Sequence, residues 1–230
     1  MKDSNKYIIF ITTIILYFFS SLFKLIPITL FKIDYKNMSG NTSIILSIFS
    51  NIVLIFIFYF FYKKDLITDF KKFKNDDKRK KVFDSLLLWI IGLIIMFAST
   101  WIASLLGIDE SSNNLAVKNM FTSNPILAGI TVIFLTPIIE EIVFRLSFRK
   151  VIPNGILFVI ISGLVFGSLH ILSITNINEL FFLIPYCSLG IILSYIYYKG
   201  DSIYYTFIIH ILHNLLIALL VLGGLAWEVD

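Results

Sequence analysis

Three short stretches put ionisable side chains where the chain is otherwise apolar: Glu140-Glu141-x-x-x-Arg145, Phe166-x-x-x-His170 and His210-x-x-His213-Asn214. A charge at the centre of a bilayer costs about 2.5–3.5 kcal/mol or more, so intramembrane ionisable residues are read first as a functional site. Carboxylates, imidazoles and an amide together suggest acid–base chemistry. On a helix, residues four apart share a face. Glu141 and Arg145 are therefore expected to stack as a structural ion pair that limits the cost of burying both charges. Glu140 points elsewhere and is the candidate general base, because apolar surroundings push a carboxylate's pKa upward. Pro137, one turn earlier, is expected to kink the helix and release backbone carbonyls, as happens where a membrane helix lines a cavity.

His170 shares a face with Phe166. Gly163 and Gly167 form a small-x-x-x-small pattern that lets two membrane helices approach closely, and this is expected to press His170 against the helix carrying Glu140. His210 and Asn214 align one turn apart with His213 beside them. Donors on one face could bind an oxyanion, and histidines at this spacing also suit zinc. His-Glu-x-x-His is absent. Ser168 stands in an apolar helix with no aspartate-oriented histidine near it in sequence, so serine-type catalysis fits less well. The single cysteine, Cys187, cannot form an intramolecular disulfide and reads as a small apolar residue.

The elements that must hold these groups are membrane helices. Of 230 residues, 58% are hydrophobic and only 15% charged, against about 25% charged in soluble domains. The expected class is all-α, a polytopic helix bundle. Apolar stretches of about 20 residues, the length that crosses a bilayer, fall near 7–30, 43–62, 85–106, 125–149, 154–172, 179–198 and 202–222. Seven spans are expected, or eight with a re-entrant piece around 138–152. The whole chain, 1–230, reads as one transmembrane domain: N-terminal spans over 1–110, including a basic loop at 63–84, and a core over 120–220. The first span lacks a cleavage site and reads as uncleaved, with Lys24 near enough to its end to snorkel.

Basic residues give the orientation. With the 63–84 loop cytoplasmic, 15 of the 19 lysines and arginines lie on that side, including Lys2, Lys6, Arg145, Arg149, Lys150 and Lys199. Lys32, Lys36 and Lys118 lie opposite, with Asp34, Asp109, Glu110, Glu179, Glu228 and Asp230. The N-terminus is then inside and the C-terminus outside the cell membrane. The 63–84 loop anchors topology near anionic head groups. Five acidic residues interrupt its basic ones, which argues against nucleic-acid binding. The bilayer itself is the implied partner.

The three motifs, in this order, resemble those of the CAAX-protease and bacteriocin-processing (CPBP, or Abi) family of intramembrane glutamic endopeptidases. The resemblance covers roughly 120–220, and His213 is additional to its pattern. It implies hydrolysis of a peptide bond in a membrane-associated peptide or protein, without metal or covalent intermediate. Glu140 and His170 would hold and deprotonate water, His210 and Asn214 would stabilise the oxyanion, and Glu141, Arg145 and Phe166 would support them. No cofactor is implied. Composition rich in Phe, Ile, Leu, Lys and Asn suits a bacterial source, and so a role in peptide maturation or bacteriocin immunity. The rival readings are a zinc-dependent membrane hydrolase using His170, His210 and His213, a non-catalytic immunity factor or scaffold, and, more weakly, a proton-coupled transporter. Depth is uneven: Glu140 and His210 lie about 12–13 Å from the cytoplasmic boundary, whereas His170 lies about 25 Å deep if its helix begins at 154. That helix starts inside the bilayer, or tilts, or the segment after Arg145 dips into the membrane.

Overall fold

The computed structural model describes residues 3–108, 110–172 and 176–227; Lys2, Asp109, Glu228 and Asp230, used in the charge argument, lie outside them. The described residues are helical throughout, joined by short turns. Helix α1 (Asp3–Phe18) leads through a 3₁₀ turn (Ser20–Lys24) into α2 (Leu25–Leu30), and the two halves are bent by 58°. Then α3 (Gly40–Asn75) runs for 36 residues, about 54 Å, well beyond the thickness of a bilayer. The segment 63–84, expected as a loop, is mostly helix. Only residues 76 and 77 interrupt it before α4 (Lys78–Leu105), whose first turn is capped by Asp77 accepting from Lys80 N.

A short helix that hydropathy does not reveal, α5 (Ser112–Ser123), precedes the segment bearing the acidic motif. Asn124 caps that segment and Pro125 starts it, as residues at N-cap and N1 do. From there α6 (Pro125–Gly129), a π-helical stretch (Ile130–Leu135), α7 (Thr136–Glu141), a second π-helical stretch (Ile142–Ser147) and α8 (Phe148–Val151) follow without a break. No re-entrant piece forms at 138–152: Pro125–Val151 is one 27-residue span. The chain continues with α9 (Gly155–Leu169), a 3₁₀ turn (Ile177–Phe182), α10 (Leu183–Gly200) and α11 (Ile203–Trp227).

The expected count of seven spans is not confirmed among the described residues. Five described helices are long and apolar enough to cross a membrane, or six if the bent α1–α2 pair counts as one span. The remaining apolar helix, α9, has 15 residues, about 22 Å, too short for a ~30 Å hydrocarbon layer.

The chain forms two compact units, each discontinuous in sequence. The first takes residues 1–63, 117–143 and 211–230. Phe121, Ala128, Ile133 and Ala218 form a buried cluster in it, and the Thr13 hydroxyl meets the Tyr62 phenol at 2.8 Å, joining α1 to α3. The second unit takes residues 64–116 and 144–210, and its centre is the α9–α10 pair. A Cβ on Gly163 would meet the backbone of Ile191 at 2.6 Å, and one on Gly167 would meet that of Cys187 at 2.5 Å. Residue numbers that fall on one helix as they rise on the other mark an antiparallel pair. The glycine face thus receives α10. The fit is reciprocal: α10 offers Gly190, whose Cβ would strike Gly163 O. Ser194 and Ser162 add a polar bridge, with Ser162 Oγ donating to Phe144 O at 2.6 Å.

At one end of this second unit the basic segments converge. Lys150 pairs with Asp65 at 2.6 Å, Lys72 with Asp201 at 2.8 Å, and Lys81 donates to Gly200 O at 3.0 Å. Asp69, buried, caps α11 from another helix by accepting from Ile203 N at 3.0 Å, while Ser202 Oγ donates to Asp69 O.

Candidate active site

In the second unit, three of the expected residues gather on a fourth, Phe166. The Arg145 guanidinium stands 4.6 Å from the Phe166 ring centroid, a cation–π contact. The His170 ring lies 4.7 Å from it and the His210 ring 5.7 Å. Phe166, Arg145 and His210 are all buried. One aromatic ring therefore holds two imidazoles and a guanidinium at fixed spacing, which explains why a phenylalanine accompanies the histidine four residues on.

His170 is the C-cap of α9, half-buried at the helix end. Because α9 is short, the histidine need not lie a full span's depth from its helix start in the membrane. His170 Nδ1 lies 3.0 Å from Phe166 O. A carbonyl can only accept, so Nδ1 carries a proton, and it is Nε2 that presents a lone pair in the neutral form of the ring. The His170 ring also stacks on Tyr186, with centroids 4.8 Å apart and planes 25° from parallel. Nothing in the spacing of Tyr186 within an apolar helix signals this contact.

The first unit holds Glu140, Glu141, His213 and Asn214. Both glutamates and His213 are buried, and Asn214 is half-buried. Tyr17 of α1, which the sequence reading passed over, stands within electrostatic reach of Glu140. Two π-helical stretches flank Thr136–Glu141, and such windings are frequent at functional sites. The second begins directly after Glu141 and runs through Arg145.

The first stretch gives Pro137 and Asn214 linked roles. Thr136 N–H bonds back five residues to Thr131 O. The next donor in that register would be residue 137, and proline has no N–H. Val132 O is thereby left for another donor, and Asn214 Nδ2 supplies it at 2.7 Å. The expected release of a carbonyl by Pro137 is met, with a side chain as its recipient. The bond fixes the amide plane and leaves one N–H and Oδ1 of Asn214 to act elsewhere. His210 lies one turn before Asn214 on α11.

Other candidates fall into local structure. Ser168 Oγ donates to Val165 O at 2.9 Å on its own helix, and Cys187 packs against Gly167. Among the described residues, no three His, Cys, Asp or Glu side chains form a group able to hold a metal ion.

Fold and motifs define a polytopic, all-α membrane protein with buried carboxylates and imidazoles on its helices. Residues 122–216, which carry all three motifs, match the family described as type II CAAX prenyl endopeptidase, Rce1-like. An uncharacterized protein of Mycoplasma capricolum subsp. capricolum is 26% identical over 184 residues, 75% of this chain and 54% of its own length. The chain thus spans about half the length of that relative. No solved structure matches.

Proposed function

We propose that this protein is an intramembrane endopeptidase of the glutamic type, cleaving a peptide bond in a membrane-associated peptide or protein. The observation that carries the reading is the cluster on Phe166, where His170 and His210 share one ring inside the segment matched to a protease family. In this mechanism Glu140 and His170 activate a water, the His170 Nε2 lone pair accepting its hydrogen bond and the carboxylate taking its proton. His210 and the N–H of Asn214 not used by Val132 O stabilise the tetrahedral oxyanion, donors of a kind worth a few kcal/mol each. Arg145 and Phe166 fix the imidazoles, and Glu141 sets the local field. His213 is given no step.

The proposed setting is a bacterial cell membrane, with the N-terminus and the converged basic segments of the second unit facing the cytoplasm. Peptide maturation or bacteriocin immunity are the roles this would serve. Comparing the membrane peptidome of cells carrying the wild type with that of cells carrying Glu140→Gln tests the proposal. Cleavage products should disappear with Glu140→Gln and with His170→Ala while the protein accumulates normally. An unchanged set of products with Glu140→Gln would overturn the mechanism.

A further inference from the structure

The His170 imidazole sits at the C-terminal end of α9, where helices fray, and its ring is half-buried. A group that must hold a water needs a fixed plane. Phe166 restrains one side of the ring through its carbonyl and its own ring. Tyr186 of α10 stacks on the imidazole plane as well. A tyrosine ring can hold that position only if its own tilt is fixed, and the hydroxyl supplies the handle.

Three hydrogen bonds close a ring around that hydroxyl. Asn114 N donates to Ser111 Oγ at 3.2 Å, which is the N-cap bond of α5. Tyr186 Oη donates to Asn114 Oδ1 at 3.1 Å, so the 2.7 Å contact between Ser111 and Tyr186 is donated by the serine. Asn113 Nδ2 adds a longer donation to Tyr186 Oη at 3.4 Å. The clasp is itself anchored. Buried Glu179 accepts from Ser112 N at 2.7 Å and Ser112 Oγ at 2.9 Å, and from Asn176 N at 3.2 Å. One carboxylate thus ties the start of α5 to the start of the 3₁₀ turn that leads into α10. Hydropathy alone gives α5 no reason to exist in this protein, and this clasp gives it one.

We propose that Tyr186, held by Ser111 and Asn114 at the start of α5, is the positioning residue of His170. It fixes the imidazole plane and keeps the proton on Nδ1, so that Nε2 stays available as the acceptor. The catalytic meaning of that lone pair rests on the protease reading above; the clasp itself does not. The chain contains three histidines, so ¹⁵N-histidine NMR of the full-length protein in lipid nanodiscs resolves each ring, with His170→Gln giving the assignment. The wild type should show His170 in the Nδ1–H tautomer with ring protons shifted upfield by the stacked tyrosine. Tyr186→Leu should abolish the upfield shift and leave a mixture of tautomers, with His213 unchanged as a sign that the fold persists. Tyr186→Phe and Ser111→Ala keep the ring but loosen it, and should each give a partial loss. If Tyr186→Leu perturbs His213 as well, the two milder variants decide by the same criterion. His170 signals identical to wild type in the folded variants would overturn the proposal. The measurement needs no substrate, so its outcome is separate from the peptidome test of protease activity.

Discussion

Replacing Asn214 by Leu should destabilise the protein through a carbonyl rather than through catalysis, and Pro137 should determine by how much. The amide donates to Val132 O at 2.7 Å. In the register set by Thr136 N–H bonding to Thr131 O, residue 137 would be the backbone donor, and proline cannot act. Interhelical side-chain hydrogen bonds in membranes average about 0.6 kcal/mol and reach about 1.7. A carbonyl with no backbone substitute belongs at the upper end, because an acceptor left bare in an apolar interior carries a desolvation penalty of about 1–3 kcal/mol. Asn214→Leu should therefore cost about 1.5 kcal/mol, roughly a tenfold change in the unfolding equilibrium. Pro137→Ala restores an N–H that can reach Val132 O. In that background Asn214→Leu should cost only a few tenths of a kcal/mol, giving a coupling energy of about 1 kcal/mol. Unfolding of the four proteins by SDS titration in mixed micelles, followed by helicity, measures the cycle. The direct effect of Pro137→Ala on the helix cancels in the difference. If Asn214→Leu costs the same in both backgrounds, Pro137 does not free the carbonyl that Asn214 binds.

Two further outcomes follow from the second unit. Gly163→Leu puts a side chain where even a Cβ meets the Ile191 backbone at 2.6 Å; overpacking of about 1–3 kcal/mol should lower the unfolding midpoint, while Leu164→Ala, on the exposed side of the same helix, should change it little. Asp76 lies between α3 and α4, and its hydrogen bond from Lys81 holds its carboxyl below the ordinary carboxylate range. A depressed folded-state pKa contributes stability that is present above the unfolded value, near 3.9, and is lost as pH falls through the folded one. Wild-type protein should therefore lose more stability between pH 5 and pH 3 than Asp76→Asn does, as read by thermal unfolding at each pH, and equal losses would contradict the assignment.

The membrane class, the all-α architecture and the three motifs were legible in the sequence because they rest on local quantities. Hydropathy over about 20 residues and side-chain spacing along a helix need no knowledge of neighbours. The release of a carbonyl by Pro137 and the shared face of Phe166 and His170 are of the same kind. Span count was less legible, since composition cannot tell that α9 ends at His170 after 15 residues or that α1 and α2 meet at a bend. The π-helical stretches escaped as well, because their extra residue per turn leaves no mark on an already apolar run.

What only tertiary structure decided is which groups meet. The glycines of α9 could have faced any helix; Gly190 made α10 the one that fits. Arg145 gained the Phe166 ring as a neighbour that no i,i+4 rule supplies, and His210 reached the same ring from 44 positions away in sequence. Tyr186 and the start of α5 carry no motif at all, yet Tyr186, held there by its hydroxyl, stacks on the imidazole that the sequence singles out. Sequence spacing names the chemical groups because chemistry depends on residue type. Their orientation depends on packing between segments far apart in the chain, and a single sequence does not encode that in any local pattern.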